Sequence, residues 1–198
     1  MKLIIVRHGE TNEILQGILQ GQTDCTLSAD GSKQAMNLAE CLKNEKIDLI
    51  YCSDLGRCKD SLAPLLNFIR VNPVYTFLLR EKGKGIFDGK SKKLYEQWKE
   101  NNPEKIPQGG ESREDVDKRA KKFLDENMKN WKYKTILIMA HGGPIASLLK
   151  TILGKEHDQA SVIEKGGPNT SITIIELNEN KEMVLRSLYS TKHLENIK

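Results

Sequence analysis

Six short strand-like runs, rich in apolar positions, recur along the chain at 2–6, 47–52, 75–79, 135–140, 171–177 and 183–188. The most apolar of them, at 2–6 and 135–140, read as buried strands. Between the first five lie segments with helical spacing. In 28–43, Ala35, Leu38, Ala39 and Leu42 share one face, with Ser28 as the N-cap. In 54–69, Leu55, Cys58, Leu62, Leu65, Leu66 and Ile69 form a stripe. Val116, Ala120, Phe123 and Leu124 do so in 111–130, and Ile145, Leu148, Leu149 and Ile152 further on. Strands alternating with helices predict an α/β fold, a three-layer α/β/α sandwich around a mostly parallel sheet. Asn178-Glu179-Asn180-Lys181 reads as a hairpin-like connection, making the last strand an antiparallel edge.

Two of the runs end alike. Leu3-Ile4-Ile5-Val6-Arg7-His8-Gly9 and Ile136-Leu137-Ile138-Met139-Ala140-His141-Gly142 each finish in histidine and glycine. If both strands are parallel in one sheet, the imidazoles emerge at its carboxyl edge, where open α/β sheets build their sites. Glycine after His8 is expected to let the backbone turn sharply there. A neutral imidazole attacks phosphorus when its other nitrogen donates to a fixed acceptor, and an adjacent arginine offers a fork matched to phosphoryl oxygens. Segment 80–110 is different, carrying Gly83, Gly85, Gly89, Pro103, Pro107, Gly109 and Gly110 around a short amphipathic piece at Leu94–Trp98. It reads as a lid or substrate-selecting excursion within one domain spanning 1–198.

At 198 residues, 38% hydrophobic and 29% charged, the chain suits a globular domain. No apolar run approaches a bilayer span, and the first strand starts almost at Met1, leaving no room for a signal peptide; no membrane association and a cytoplasmic location are expected. A net charge of +4 is too small and scattered for a nucleic-acid partner and fits a small anionic substrate. Lys82, Lys84, Lys90, Lys92 and Lys93 form either a solvated loop or a funnel for anions. Cys25, Cys41, Cys52 and Cys58 show neither a C-x-x-C pair nor zinc spacing and read as free thiols.

Arg7-His8-Gly9-Glu10-Thr11 resembles the signature of the histidine phosphatase superfamily, in its phosphoglycerate mutase-like branch. Ser53-Asp54-Leu55-Gly56-Arg57, Leu79-Arg80-Glu81, Gly109-Gly110-Glu111-Ser112, His141-Gly142-Gly143 and Pro168-Asn169-Thr170-Ser171 resemble its further motifs, in order and over nearly the whole chain. The resemblance implies that His8 takes the phosphoryl group, that Arg7, Arg57 and His141 hold its equatorial oxygens, and that Glu81 protonates the leaving oxygen. It also implies substrate contacts from Asn12, Gln20, Gly21 and Gly142, with no metal and no cofactor. Outside these motifs, Arg57 would read as a helix-surface arginine, Glu81 as a salt-bridge partner of neighbouring lysines, Glu10 as a cap, and His157 and His193 as surface residues.

Two positions depart from the family pattern. Ile14 stands where the family usually has asparagine, so a phosphate contact is either missing or supplied by Asn12. Gly85-Ile86-Phe87-Asp88-Gly89 replaces a Gly-x-W-E-G pattern, which bears on substrate choice. The implied function is a metal-independent phosphatase acting on a small phosphorylated metabolite (a sugar phosphate or bisphosphate, or a phosphoglycerate). The alternatives are a cofactor-dependent phosphoglycerate mutase and a non-catalytic phosphate-binding relative. Only about thirty residues separate Glu81 from Glu111, which favours water access and hydrolysis. The expected partner is the small anionic substrate, with a homodimer left open.

Overall fold

The computed structural model describes residues 1–154, 157–178 and 182–195. In chain order the elements are β1 (Lys2–Arg7), α1 (Asn12–Leu15), α2 (Ala29–Leu42), β2 (Leu49–Ser53), α3 (Gly56–Leu66), β3 (Val74–Thr76), α4 (Lys92–Asn101), α5 (Arg113–Asn127), β4 (Thr135–Ala140), α6 (Gly142–Leu153), α7 (Ala160–Glu164), β5 (Ile172–Leu177) and β6 (Met183–Ser190). Among the described residues six strands form one sheet in the order β3-β2-β4-β1-β5-β6. The first four in that order are mutually parallel, β5 runs antiparallel to β1, and β6 pairs antiparallel with β5 at the edge. Among the described strands β5 alone therefore runs against the rest, and the edge strand β6 has the direction of β1 although its pairing is antiparallel. Residues 179–181 of the expected hairpin connection lie outside the described residues, but Asn178 and Glu182 beside them are joined by backbone and side-chain hydrogen bonds.

The apolar runs of β1 and β4 are explained by burial on both faces. Leu3 and Ile5 of β1 join Ile136, Ile138 and Ala140 of β4 against α5 and α6, while Ile4, Val6, Leu137 and Met139 face α2 and α3. Each fully buried aliphatic side chain contributes about 1.5–3 kcal/mol. A one-residue slip would exchange every side chain between the two layers, so the burial pattern fixes the register. In that register Arg7 stands opposite Ala140. The two histidines therefore leave adjacent parallel strands at the same height, as the sequence echo requires.

Several boundaries differ from expectation. The run at 75–79 is a strand only to Thr76; the Thr76 side chain accepts from the Leu78 amide and starts a 3₁₀ turn over Phe77–Leu79. That turn sends Leu78 and Leu79 into the core and leaves Val74, Tyr75 and Phe77 exposed. Ser28 caps α2 by accepting from the Gly31 amide at 2.9 Å, as expected. Ser112 and Asp115 close a capping box on α5, which sets its start two residues later than the expected 111. The short helices α1 and α7 carry too few apolar positions for a stripe to reveal them. No helix among the described residues is long and apolar enough to cross a membrane.

Gly9 is required after His8, but not for a sharp turn. Its φ lies outside the left-handed region. What it needs is space: a Cβ here would sit 2.8 Å from the Gly31 carbonyl oxygen, and a Cβ on Gly31 would strike the Glu10 backbone. The two glycines let the first turn of α2 press onto the strand-end loop. Gly9→Ala is expected to cost about 1–3 kcal/mol, because backbone must yield. Urea unfolding checks this, and a variant as stable as the parent contradicts it.

Candidate active site

His8 follows β1 and is 1% exposed. Its Nδ1 lies 2.7 Å from the Gly9 carbonyl oxygen, which can only accept, so Nδ1 carries the proton and the Nε2 lone pair is left free. The His8 backbone is itself held. Its carbonyl accepts from Asn169 Nδ2 at 3.0 Å and from the Thr170 amide at 3.2 Å. Thr170 is fully buried with φ of 52°, a left-handed conformation that a β-branched residue adopts only under constraint.

His141, the N-cap residue of α6, is 0% exposed, and its ring centroid is 5.0 Å from that of His8. Arg57 Nε donates to His141 Nδ1 at 3.2 Å, which places the proton on Nε2, 2.8 Å from Ser53 Oγ. Arg57, from the first turn of α3, is also 0% exposed. Its remaining donors reach the Thr23 carbonyl at 3.0 Å and the Gly21 carbonyl at 2.8 Å. Arg7 is anchored through Nη1 to the Gly167 carbonyl, whereas its buried Nε has no hydrogen-bond partner among the described residues. Burial lowers the Arg7 pKa against the opposing pull of Glu81.

Burial, and then the charges of Arg57 and Arg7, hold His8 well below the usual histidine value of 6.5; burial and Arg57 do the same to His141. Both imidazoles are therefore neutral at pH 7. The unfolded chain regains the ordinary value and binds more protons below it, so this contribution to stability is complete above about pH 6.5 and falls on acidification. Each histidine accounts for up to about 1.4 kcal/mol per pH unit. The urea midpoint is expected to drop between pH 7.5 and 5.5, and a flat profile contradicts buried neutral imidazoles.

Above this floor opens a cleft of 460 Å³, lined among others by Arg7, Gln20, Gly21, Glu81, Gly142 and Gly143. Gly142 and Gly143 begin α6, where the first amides of a helix lack intrahelical acceptors and favour anions. Glu81 Oε1 accepts from the Lys82 amide at 2.8 Å, and a Cβ on Gly143 would come 2.5 Å from that oxygen, so the glycine makes room for the carboxylate. Gly21 has φ of 47°, and the Asp88 carboxylate occupies the place of its missing Cβ.

The structure thus brings together His8, Arg7, Arg57, His141, Glu81, Gln20, Gly21 and Gly142. It does not bring Asn12 among the residues lining the cleft. Asn12 Nδ2 is spent on Thr26 Oγ1 at 3.1 Å and the Leu27 carbonyl at 3.3 Å, and Ile14 lines the cleft instead. Gln20 bonds to Thr11 Oγ1, and Glu10 braces the N-cap of α2 by accepting from Ser28 Oγ at 2.8 Å. His193 is half-buried against Thr170 Oγ1 at 3.2 Å rather than at the surface.

Other residues of the site were not singled out from sequence. Arg119 of α5 donates to the carbonyls of Leu78, Arg80 and Glu81 and pairs with Glu111 at 2.7 Å. Gln22 Nε2 reaches the Glu81 carbonyl at 3.1 Å. Together they fix the backbone that carries Glu81. Among the described residues no group of three or more His, Cys, Asp and Glu side chains is arranged to hold a metal ion.

A model of the histidine phosphatase superfamily, branch 1, matches residues 3–189. A probable phosphatase of Schizosaccharomyces pombe is 35% identical over 98% of this chain and 96% of its own length. Phosphoserine phosphatase 1 of Hydrogenobacter thermophilus is 31% identical over 98% and 94%. The crystal structure of Entamoeba histolytica phosphoserine phosphatase in complex with 3-phosphoglyceric acid superposes with a TM-score of 0.77 at 29% identity, covering 98% of each chain. The chain belongs to branch 1 of the histidine phosphatase superfamily and is a phosphoric monoester hydrolase of that family.

Proposed function

We propose that the protein hydrolyses a small phosphorylated metabolite without a metal, through a phosphohistidine on His8. The observation that carries this reading is the Nδ1 contact to the Gly9 carbonyl, which leaves a neutral Nε2 lone pair beside two arginines. His8 Nε2 attacks phosphorus and forms the P–N bond as the ester P–O bond breaks; Glu81 gives its proton to the departing oxygen. Water then attacks the phosphohistidine, Glu81 takes the water proton, and inorganic phosphate leaves with His8 restored. Arg7, Arg57 and His141 stabilise the charge spread over the equatorial oxygens. His8, Arg57 and His141 lie beneath the cleft, and the Gly21 and Thr23 carbonyls hold the two Nη donors of Arg57. Substrate entry exchanges those carbonyls for phosphoryl oxygens, with movement of the 20–23 loop.

Six cationic side chains and two carboxylates line the cleft, an excess equal to the net charge of the whole chain. The excess supports a substrate of the phosphoglycerate or sugar bisphosphate class, with a second anionic group. A turnover screen over phosphorylated metabolites tests the reading, with phosphate release and interconversion of 3- and 2-phosphoglycerate followed side by side. Phosphate release that persists in excess chelator is expected. Predominant interconversion would make the protein a mutase, and loss of activity with chelator would contradict charge stabilisation by arginines alone.

A further inference from the structure

The lid helix and the turn before it carry an aromatic cluster: Phe87, Tyr95 and Trp98 have ring centroids 5.4–6.5 Å apart. The Lys84 ammonium lies over the Tyr95 ring, 5.3 Å from its centroid. Its backbone is fixed as well. The Lys84 amide donates to Asp88 Oδ1 at 2.8 Å, and residue 84 bridges to Gly110 at the base of the 80–110 segment. Lys84 lines the same cleft as Arg7 and Glu81.

Lys82, half-buried like Lys84 and likewise without a carboxylate within salt-bridge distance among the described residues, has no aromatic ring beneath its ammonium there, and the outer cations of the rim are committed differently. Lys92 pairs with Glu96 at 3.5 Å and Arg113 with Asp117 at 3.8 Å, while Lys165 is exposed. Lys84 is half-buried and has no carboxylate within salt-bridge distance among the described residues; the nearby Asp88 carboxylate is spent on the amides of Lys84 and Gln22. Burial, and then the neighbouring Lys82, lower the pKa of its ammonium. A partly desolvated cation without a counter-ion is costly to hold, and an anion arriving from solution offsets that cost.

We propose that Lys84 is the specificity-determining residue of this cleft, reading a second anionic group of a substrate whose phosphoryl end sits at His8. This rests on the phosphatase reading above for the position of the phosphoryl end. The shared chemistry is an anion tethered to the phosphomonoester, either a carboxylate or a second phosphate. The aromatic cluster sets the height of the ammonium, so its reach is defined by the lid.

The test uses matched ligand pairs that differ only in the second anion: 3-phosphoglycerate against glycerol 3-phosphate, and fructose 1,6-bisphosphate against fructose 6-phosphate. Calorimetric titration of the full chain in a His8→Ala background measures binding without turnover. The parent is expected to prefer the anionic member of at least one pair, and Lys84→Gln to reduce that preference about tenfold or more. Lys84→Arg should retain it, and Lys93→Gln, an equal charge change on the exposed face of the lid, should leave it intact. The pair that responds names the anion. A preference absent from both pairs, or equal in Lys84→Gln and the parent, overturns the proposal. Because the readout is binding, a parent enzyme that hydrolyses none of these compounds contradicts the phosphatase reading alone.

Discussion

Replacing His8 by alanine is expected to reduce phosphate release by four to six orders of magnitude, on the order seen when an enzyme loses its nucleophile. The geometry makes this loss specific. The His8 carbonyl stays held by Asn169 and Thr170, and the Arg57–His141 contact does not involve the His8 ring. The variant should therefore keep its circular dichroism spectrum and a cooperative thermal transition while turnover disappears. Turnover within tenfold of the parent would mean that another group receives the phosphoryl moiety.

The second large effect is expected at Arg57. Arg57→Met keeps the aliphatic stem but removes the donors that satisfy the Gly21 and Thr23 carbonyls and orient the His141 ring. Each buried carbonyl left without a partner costs about 1–3 kcal/mol, so stability should fall by about 2–5 kcal/mol. Loss of one preorganised donor to the developing charge lowers kcat by about 10²–10³. Both losses should appear in the same variant. Arg57→Lys, which keeps the charge but not the planar fork, should recover stability only in part. Equilibrium unfolding and single-turnover kinetics measure the two separately, and an Arg57→Met protein as stable as the parent contradicts the arrangement of donors described above.

The pair of His-Gly strand ends was legible because parallel buried strands leave continuous apolar runs, and adjacency of β1 and β4 then brings the rings together. Arg57 was legible only through its motif. Its burial depends on carbonyls at 21 and 23, far away in sequence, and an isolated arginine early in an amphipathic helix gives no sign of that. Arg119 and Gln22 escaped for the same reason, since both act on backbone carbonyls of a segment brought near only by folding. Asn12 was expected as a stand-in for the asparagine that Ile14 replaces, and its amide is hydrogen-bonded to Thr26 and Leu27, a local arrangement that spacing does not reveal. Gly9 was recognised for the wrong physical reason, because close approach of α2 is a tertiary fact. The helix α4 exceeds the short piece seen in sequence because its first half is lysine-rich and largely exposed.

The proposed hydrolysis depends on covalent transfer to one imidazole nitrogen, that of His8. The most direct measurement is rapid acid-free quenching of the enzyme with a good phosphomonoester substrate, followed by intact-protein and peptide mass spectrometry. The account predicts a single added phosphoryl group, stable in base and labile in acid, on the peptide containing His8 and absent from the His8→Ala protein. Robust turnover with no trapped phosphoryl group under single-turnover conditions, or a phosphoryl group on any other residue, would contradict it.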